Sequence, residues 1–179
     1  MLEVHDPTTA QALGLAYVLS GRVDEAVLLL ERAIELATRH GRGPDPLRLP
    51  LSTAHLHAGR FEEARMLAER VLEGARTGKR RPLEARAIHL LGDIAAQRAS
   101  PEAAAAEAHY RQALALAEEL GMRPLQAHCH RGLGTLYTAT GQREQARTAL
   151  STAIAMYRDM AMTFWLPQTE AALAQVEGR

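Results

Sequence analysis

One register recurs along this chain, and it leaves few folds open. Leu13-Gly14-Leu15-Ala16-Tyr17 is followed by Ser20-Gly21 and then Ala26. Leu51-Ser52-Thr53-Ala54-His55 is followed by Ala58-Gly59 and Ala64, and Leu133-Gly134-Thr135-Leu136-Tyr137 by Thr140-Gly141 and Ala146. A fourth copy, Leu91-Gly92-Asp93-Ile94-Ala95, leads to Ala106 through a longer turn, Ala99-Ser100-Pro101-Glu102. The steps from Ala26 to Ala64, Ala106 and Ala146 are 38, 42 and 40 residues. Self-similarity at such a period marks a stacked repeat, in which one unit cannot bury its apolar face alone. Each copy reads as a helix, a tight turn and a second helix. Gly21, Gly59 and Gly141 fall where a helix ends in the left-handed conformation, and acidic residues such as Asp24, Glu62 and Glu144 then suit the positive start of the next helix.

The chemistry of the chain agrees with helices. Apolar residues make up 47% of it, much of that Ala and Leu, while aromatics supply only 4%, so helix formers outweigh strand formers. Twenty-one basic residues balance 21 acidic ones, which gives no overall attraction to nucleic acid or to an anionic membrane. The single cysteine, Cys129, rules out an internal disulfide framework. The segment Met1–Asp6 has neither a basic nor an apolar region of the kind a secretion signal needs. The longest aliphatic run, Ala26 to Leu30, is far too short to span a bilayer. The expectation is a cytoplasmic protein with no membrane and no nucleic-acid partner.

The second helices carry a pattern of their own: Ala26, Leu30, Ala33; Ala64, Ala68, Val71; Ala106, Tyr110, Ala113; Ala146, Leu150, Ala153. With the Leu-Gly-x-x-Tyr segments, this resembles the tetratricopeptide repeat, where small residues let antiparallel helices approach and large ones fill the seam. The chain lacks that family's leading Trp and closing Pro, and its period exceeds the usual length of roughly 34 residues. The last third, from Leu120-Gly121-Met122-Arg123-Pro124 to Thr163-Phe164-Trp165-Leu166-Pro167, resembles the C-terminal repeat region of bacterial signalling ATPases and transcription regulators. The resemblance implies an all-α, right-handed superhelical solenoid of four helix pairs plus a C-terminal capping helix. The spacing predicts helices over 8–19, 22–40, 46–58, 61–76, 82–98, 102–120, 124–140, 143–159 and 163–177. They form one repeat domain over 1–179, with repeats at about 7–42, 44–78, 82–121 and 124–160 and a cap at 163–177. Ser100 is the expected N-cap of the sixth helix, with Pro101 at its first position. Pro50 should make the third helix start late or bend. Phe164 and Trp165 are the expected anchors of the cap.

Candidate chemistry fails on geometry. Cys129 between His128 and His130 offers zinc-binding atoms, but adjacent helical side chains diverge and cannot converge on one ion. A buried apolar cysteine, equivalent to Leu47 and Ala87, is the plainer reading. The stretch Gly74 to Arg80 superficially resembles a phosphate loop, yet it follows a helix and places Arg80 where a magnesium-binding hydroxyl belongs. Its basic residues through Arg81 read as a solvated loop between repeats. Gly132-Leu133-Gly134 has no strand before it and reads as close helix packing. The expectation is no enzyme, no metal and no cofactor.

The resemblance implies a concave face lined by the first helix of each pair. Its positions correspond to Gln11, Leu15 and Val18, then Leu49, Thr53 and Leu56, which would make an apolar half. The polar half consists of Arg86, His89, Asp93 and Gln97, followed by His128, Arg131 and Thr135. Each polar set falls at i, i+3, i+7 spacing, one stripe of a helix, and Arg86 and Arg131 are suited to a carboxylate or phosphate. The family's chaperone-tail clamp needs Lys and Asn where this chain has Arg, His, Asp and Thr. The reading is a protein- or peptide-binding scaffold of bacterial signalling or regulation. The alternative is a self-associating module detached from a larger ATPase or regulator, using the uncovered edge of the first repeat.

Overall fold

A computed structural model of the chain describes residues 6–41, 43, 45–97 and 102–178. Among them are nine α-helices: α1 (Pro7–Leu19), α2 (Val23–Arg39), α3 (Asp45–His57), α4 (Phe61–Thr77), α5 (Arg81–Gln97), α6 (Ala103–Glu119), α7 (Arg123–Ala139), α8 (Arg143–Asp159) and α9 (Leu166–Glu177). The all-helical fold expected from the spacing is the fold observed, and most helix ends fall within a residue or so of their expected positions. Ser100 and Pro101 lie outside the described residues.

The turns show why the glycines recur. Gly21, Gly59 and Gly141 have φ of 77°, 73° and 76°, and the following backbone N–H returns to the last turn, as Arg22 N does to Tyr17 O at 2.8 Å. Two other turns reach the left-handed region without glycine, at Lys79 (φ 51°) and Ala161 (φ 54°). Pro50 does not delay α3, which begins five residues ahead of it. The proline ring is buried in the helix, which there forgoes the backbone N–H that proline lacks.

The chain divides into two compact units, residues 1–90 and 91–179. In the first, α1 packs on α2 and α3, α2 on α3, and α3 on α4. Its core joins Ala10, Val18, Ala26, Leu30, Leu47, Leu51 and Ala54. The first residue of α3, Asp45, is tied to the end of α4: its carboxylate accepts from Arg48 Nη1 at 2.6 Å and from Arg80. Burial alone would raise the Asp45 pKa, but Arg80 and Arg48 outweigh it and hold the carboxyl below its ordinary range.

In the second unit α6 packs on α7, α7 on α8, and α8 and α7 on α9. One cluster centres on Tyr110, Leu133, Leu136, Tyr137 and Leu150, with Val176 from α9. Another joins Ala127, Ala153 and Tyr157 to Met156, Met160, Met162, Trp165 and Leu166. The cap starts at Leu166 because residues 163–165 form a turn. Of its two expected anchors, Trp165 is half-buried whereas Phe164 is 52% exposed and only meets the edge of Trp165. The buried side chains of α9 itself are Thr169 and Val176, and the Arg143 guanidinium donates to the Val176 carbonyl at 2.7 Å near the helix end.

The Leu-Gly pairs explain how helices within a repeat approach so closely. A methyl group at Gly14 would lie 2.8 Å from Leu30, and one at Gly134 would lie 2.6 Å from Leu150. A methyl at Gly92 would meet the Tyr110 ring at 2.8 Å, and one at Gly132 would meet it at 2.6 Å. Repeat two inverts the fit. Ser52 replaces the glycine and donates to the Ala64 carbonyl at 2.7 Å, while the facing residue shrinks to Ala68. The larger residue at one position is thus matched by a smaller one opposite, in keeping with a close-packed interior.

Candidate partner-binding site

The site is built in the second unit by α5, α6, α7 and α9. The core takes Ala127, Cys129, Leu133, Leu136 and Tyr137 of α7. What remains on the opposite stripe is half-buried His128, half-buried Arg131 and exposed Thr135. Asp93 and Gln97 come from the last turns of α5, Tyr110 from α6, and Gln168 from the first turn of α9. Together with Arg131 and Thr135 they line a cavity of about 320 Å³, at the small end of the range for ligand sites. The rest of its lining is mostly aliphatic, with Ala96, Ala103, Leu136, Ala139 and Ala172 beside Gly132, Thr140 and Thr169.

Several polar groups in or beside the cavity are held by neighbours. Tyr110 lies against Gly92 and Gly132 and donates its hydroxyl to Asp93 Oδ1 at 2.8 Å. Burial and the Asp93 carboxylate both push the Tyr110 phenol far up, so it stays a protonated donor and Asp93 an acceptor. The Arg131 guanidinium lies 4.5 Å from the centroid of Trp165, a cation–π arrangement. Trp165 is in turn met nearly edge-on by His128, centroids 5.0 Å apart and planes 80° apart. His128 Nδ1 lies 2.7 Å from the Tyr157 hydroxyl. Burial, opposed by Arg131, leaves the Tyr157 pKa pushed up to about 12. The phenol therefore stays protonated and shares a hydrogen bond with His128 Nδ1. Both phenols are driven away from the ionised form that a nucleophile or base would need.

Of the residues expected to form the polar face, Asp93, Gln97, Arg131 and Thr135 share the cavity lining. His128 stands behind it, against Trp165. Arg86, exposed, and His89, half-buried, belong to the first unit. The expected apolar half is corrected: Val18, Leu49 and Leu56 are 4%, 8% and 4% exposed and are core residues, because the first helix of each pair is packed on several sides. The spacing of Cys129 and its histidines also has its explanation. Cys129 is fully buried, burial pushes its thiol up, and no metal-holding group of three His, Cys, Asp or Glu occurs among the described residues. In the basic loop, Arg76 pairs with Glu84 at 3.0 Å and Arg80 with Asp45.

Three residues at the cavity lie outside the expected polar face: Tyr110, Trp165 and Gln168. The repeat pattern makes the first a seam-filling residue and the second an anchor of the cap. The one available signal was Trp165 itself, the only tryptophan in an aromatic-poor chain, since such rings commonly hold a cation.

The geometry defines an all-helical repeat scaffold with a cavity in its second unit. Family models of the tetratricopeptide repeat match residues 9–44 and 102–159, so the chain carries tetratricopeptide repeats. No curated protein matches the chain. Solved structures similar in fold include the apo form of RapI, at 15% identity and a TM-score of 0.74, covering 96% of this chain and 63% of that one. Aspartyl phosphate phosphatase F from Bacillus subtilis is 14% identical with a TM-score of 0.75, over 95% of this chain and 45% of that one. A thermophilic TPR protein in Thermus thermophilus is 21% identical with a TM-score of 0.65, over 96% and 81%. The chain thus spans about half to two-thirds of the length of the first two. No helix among the described residues is long and apolar enough to cross a membrane.

Proposed function

We propose that this chain is a non-catalytic scaffold that binds a protein or peptide partner, in a bacterial signalling or regulatory setting. The observation that carries this reading is the cavity of the second unit, where Arg131 is held by Trp165 without a carboxylate of its own among the described residues. A half-buried cation held in place and left unpaired is poised to receive a group from outside. The likeness in fold to RapI and to a phosphatase named for aspartyl phosphate supports the regulatory setting. Peptides selected from a random displayed library on the full chain should bind wild type. They should lose about tenfold or more in affinity to Arg131→Ala and to Thr135→Trp, which fills the cavity. Equal affinity for all three proteins would reject the site.

A second reading, self-association, rests on α1. This helix exposes Leu19 at 47% along with Ala12 and Ala16, and leaves Leu15 half-buried, an apolar strip on the outer edge of the first unit. Sedimentation that stays monomeric at high concentration would remove this reading.

A further inference from the structure

The cavity is not made by the repeat helices alone. Gln168 and Ala172 of α9 line it beside Asp93, Gln97 and Thr135, and Trp165, just ahead of α9, supports Arg131 from behind. We infer that α9 is a wall of the binding site as well as a cap, and that the cavity takes an extended peptide segment with one acidic side chain on Arg131 beside a small aliphatic residue. This rests on the reading that the second unit binds a peptide.

Three observations lead there. The first is charge. Arg131 is half-buried, fixed by an aromatic face, and without an ion-pair partner among the described residues. A guanidinium in that state gains two parallel hydrogen bonds from a carboxylate. Asp93 lines the same space and already accepts from Tyr110. A second anionic group is therefore disfavoured, and one acidic side chain fits better than a phosphate or a run of acids. The second is the hydrogen-bonding inventory. Gln97, Thr135 and Gln168 come from three different helices. Amide side chains pair with a peptide main chain in both roles, as donor and as acceptor, and Thr135 Oγ1 keeps lone pairs to accept with while donating to the Arg131 carbonyl. Such groups spread over three helices suit a chain passing through the cavity, so the carboxylate is assigned to an internal side chain. The third is size. A space of about 320 Å³ lined in part by Ala96, Ala103, Leu136 and Ala172 has room for a small aliphatic side chain beside the acidic one.

Trp165 is then a positioning residue: it acts on the ligand through Arg131. The decisive experiment uses the full chain and a displayed library of random hexapeptides embedded between neutral constant segments, so that no terminal carboxylate is offered. Affinities of the enriched peptides are read by fluorescence anisotropy. The expected winners carry one Asp or Glu next to Ala, Val or Thr. Replacing that acid by its amide should weaken binding about tenfold or more. Arg131→Gln should cost about the same, and the two changes together little more than either alone, because both remove one contact. Trp165→Leu should weaken the acidic peptide while changing affinity for its amide version less than about twofold. Should Trp165→Leu unfold, read by circular dichroism, Arg131→Lys serves in its place, since lysine retains the charge but not the bidentate fork. A peptide that is blocked by Thr135→Trp yet indifferent to the acid-to-amide change overturns the inference and leaves the peptide-binding reading standing. Enrichment of no peptide, or binding untouched by Thr135→Trp, overturns both.

Discussion

At the scale of single residues, helix packing in this protein is decided by hydrogen atoms. Gly134 lies so near Leu150 that a methyl group would sit 2.6 Å from its Cγ and 3.1 Å from its backbone N. The side chain can rotate away, but the backbone of α8 cannot without moving the helix. Gly134→Ala gains about 1 kcal/mol of helix propensity and meets an overpacking penalty of about 1–3 kcal/mol. A net loss of up to about 2 kcal/mol is expected in urea unfolding. In a Leu150→Ala background the same change should cost less, since the obstructing side chain is gone and only the 3.1 Å contact with the backbone N remains. An equal loss in both backgrounds would show that something other than this contact sets the cost.

At the scale of elements, the turns decide where helices stop, and the chain meets that demand unevenly. Five helix-to-helix turns use a glycine with positive φ, whereas the α8–α9 turn uses Ala161 at φ 54°. A side chain in that region costs about 1–2 kcal/mol, and glycine returns about 0.5–1 kcal/mol of that through the entropy of the unfolded chain. Ala161→Gly should therefore raise stability by roughly 0.5–1 kcal/mol, read as a higher thermal midpoint. A lower midpoint would mean that the Ala161 methyl contributes contacts that outweigh its strain. The turn also carries Met160 and Met162 into the cluster under Trp165, so its geometry reaches the candidate site.

At the scale of the whole molecule, acid should weaken both units before the carboxylates titrate. His55 of the first unit is 8% exposed, and its Nδ1 is buried without a hydrogen-bond partner among the described residues. Burial, aided by Arg60 and opposed by Glu63 and Glu31, lowers its pKa below the ordinary value of 6.5. Burial likewise lowers His130 of the second unit, against Glu118. A depressed histidine is neutral when folded and protonates more readily when unfolded. Its contribution is complete above pH 6.5 and is lost as pH falls toward the folded value. Urea midpoints should fall between pH 7.5 and about 5.5, and His55→Leu should flatten that slope. Hydrogen exchange along α3 and α7 reads the two units separately. An unchanged slope in the variant would refute the role of His55.

Much of this was legible in the residues. The recurring Leu-Gly-x-x-Tyr and Ala-x-x-x-apolar-x-x-Ala segments, with glycine at the turns, set helix after helix at nearly the observed ends, because periodicity and turn chemistry are local properties. The pairing of Gly14 with Leu30 and of Gly134 with Leu150 was implicit in the same register. The candidate site was legible only in part. Asp93 with Gln97 on α5, and Arg131 with Thr135 on α7, each share a stripe that a helical wheel can find. Val18, Leu49 and Leu56 occupy matching positions but are core, because burial depends on which neighbours a helix meets. Tyr110, Trp165 and Gln168 joined the site from 21 residues before Arg131 and from 34 and 37 after it, a distance at which no local pattern speaks. The sequence by itself determined a helical repeat with a polar stripe on α7. Only the tertiary structure decided that α9 would turn this stripe into a walled cavity with a held cation, since both the cavity and the cation's support are made by contacts between distant segments.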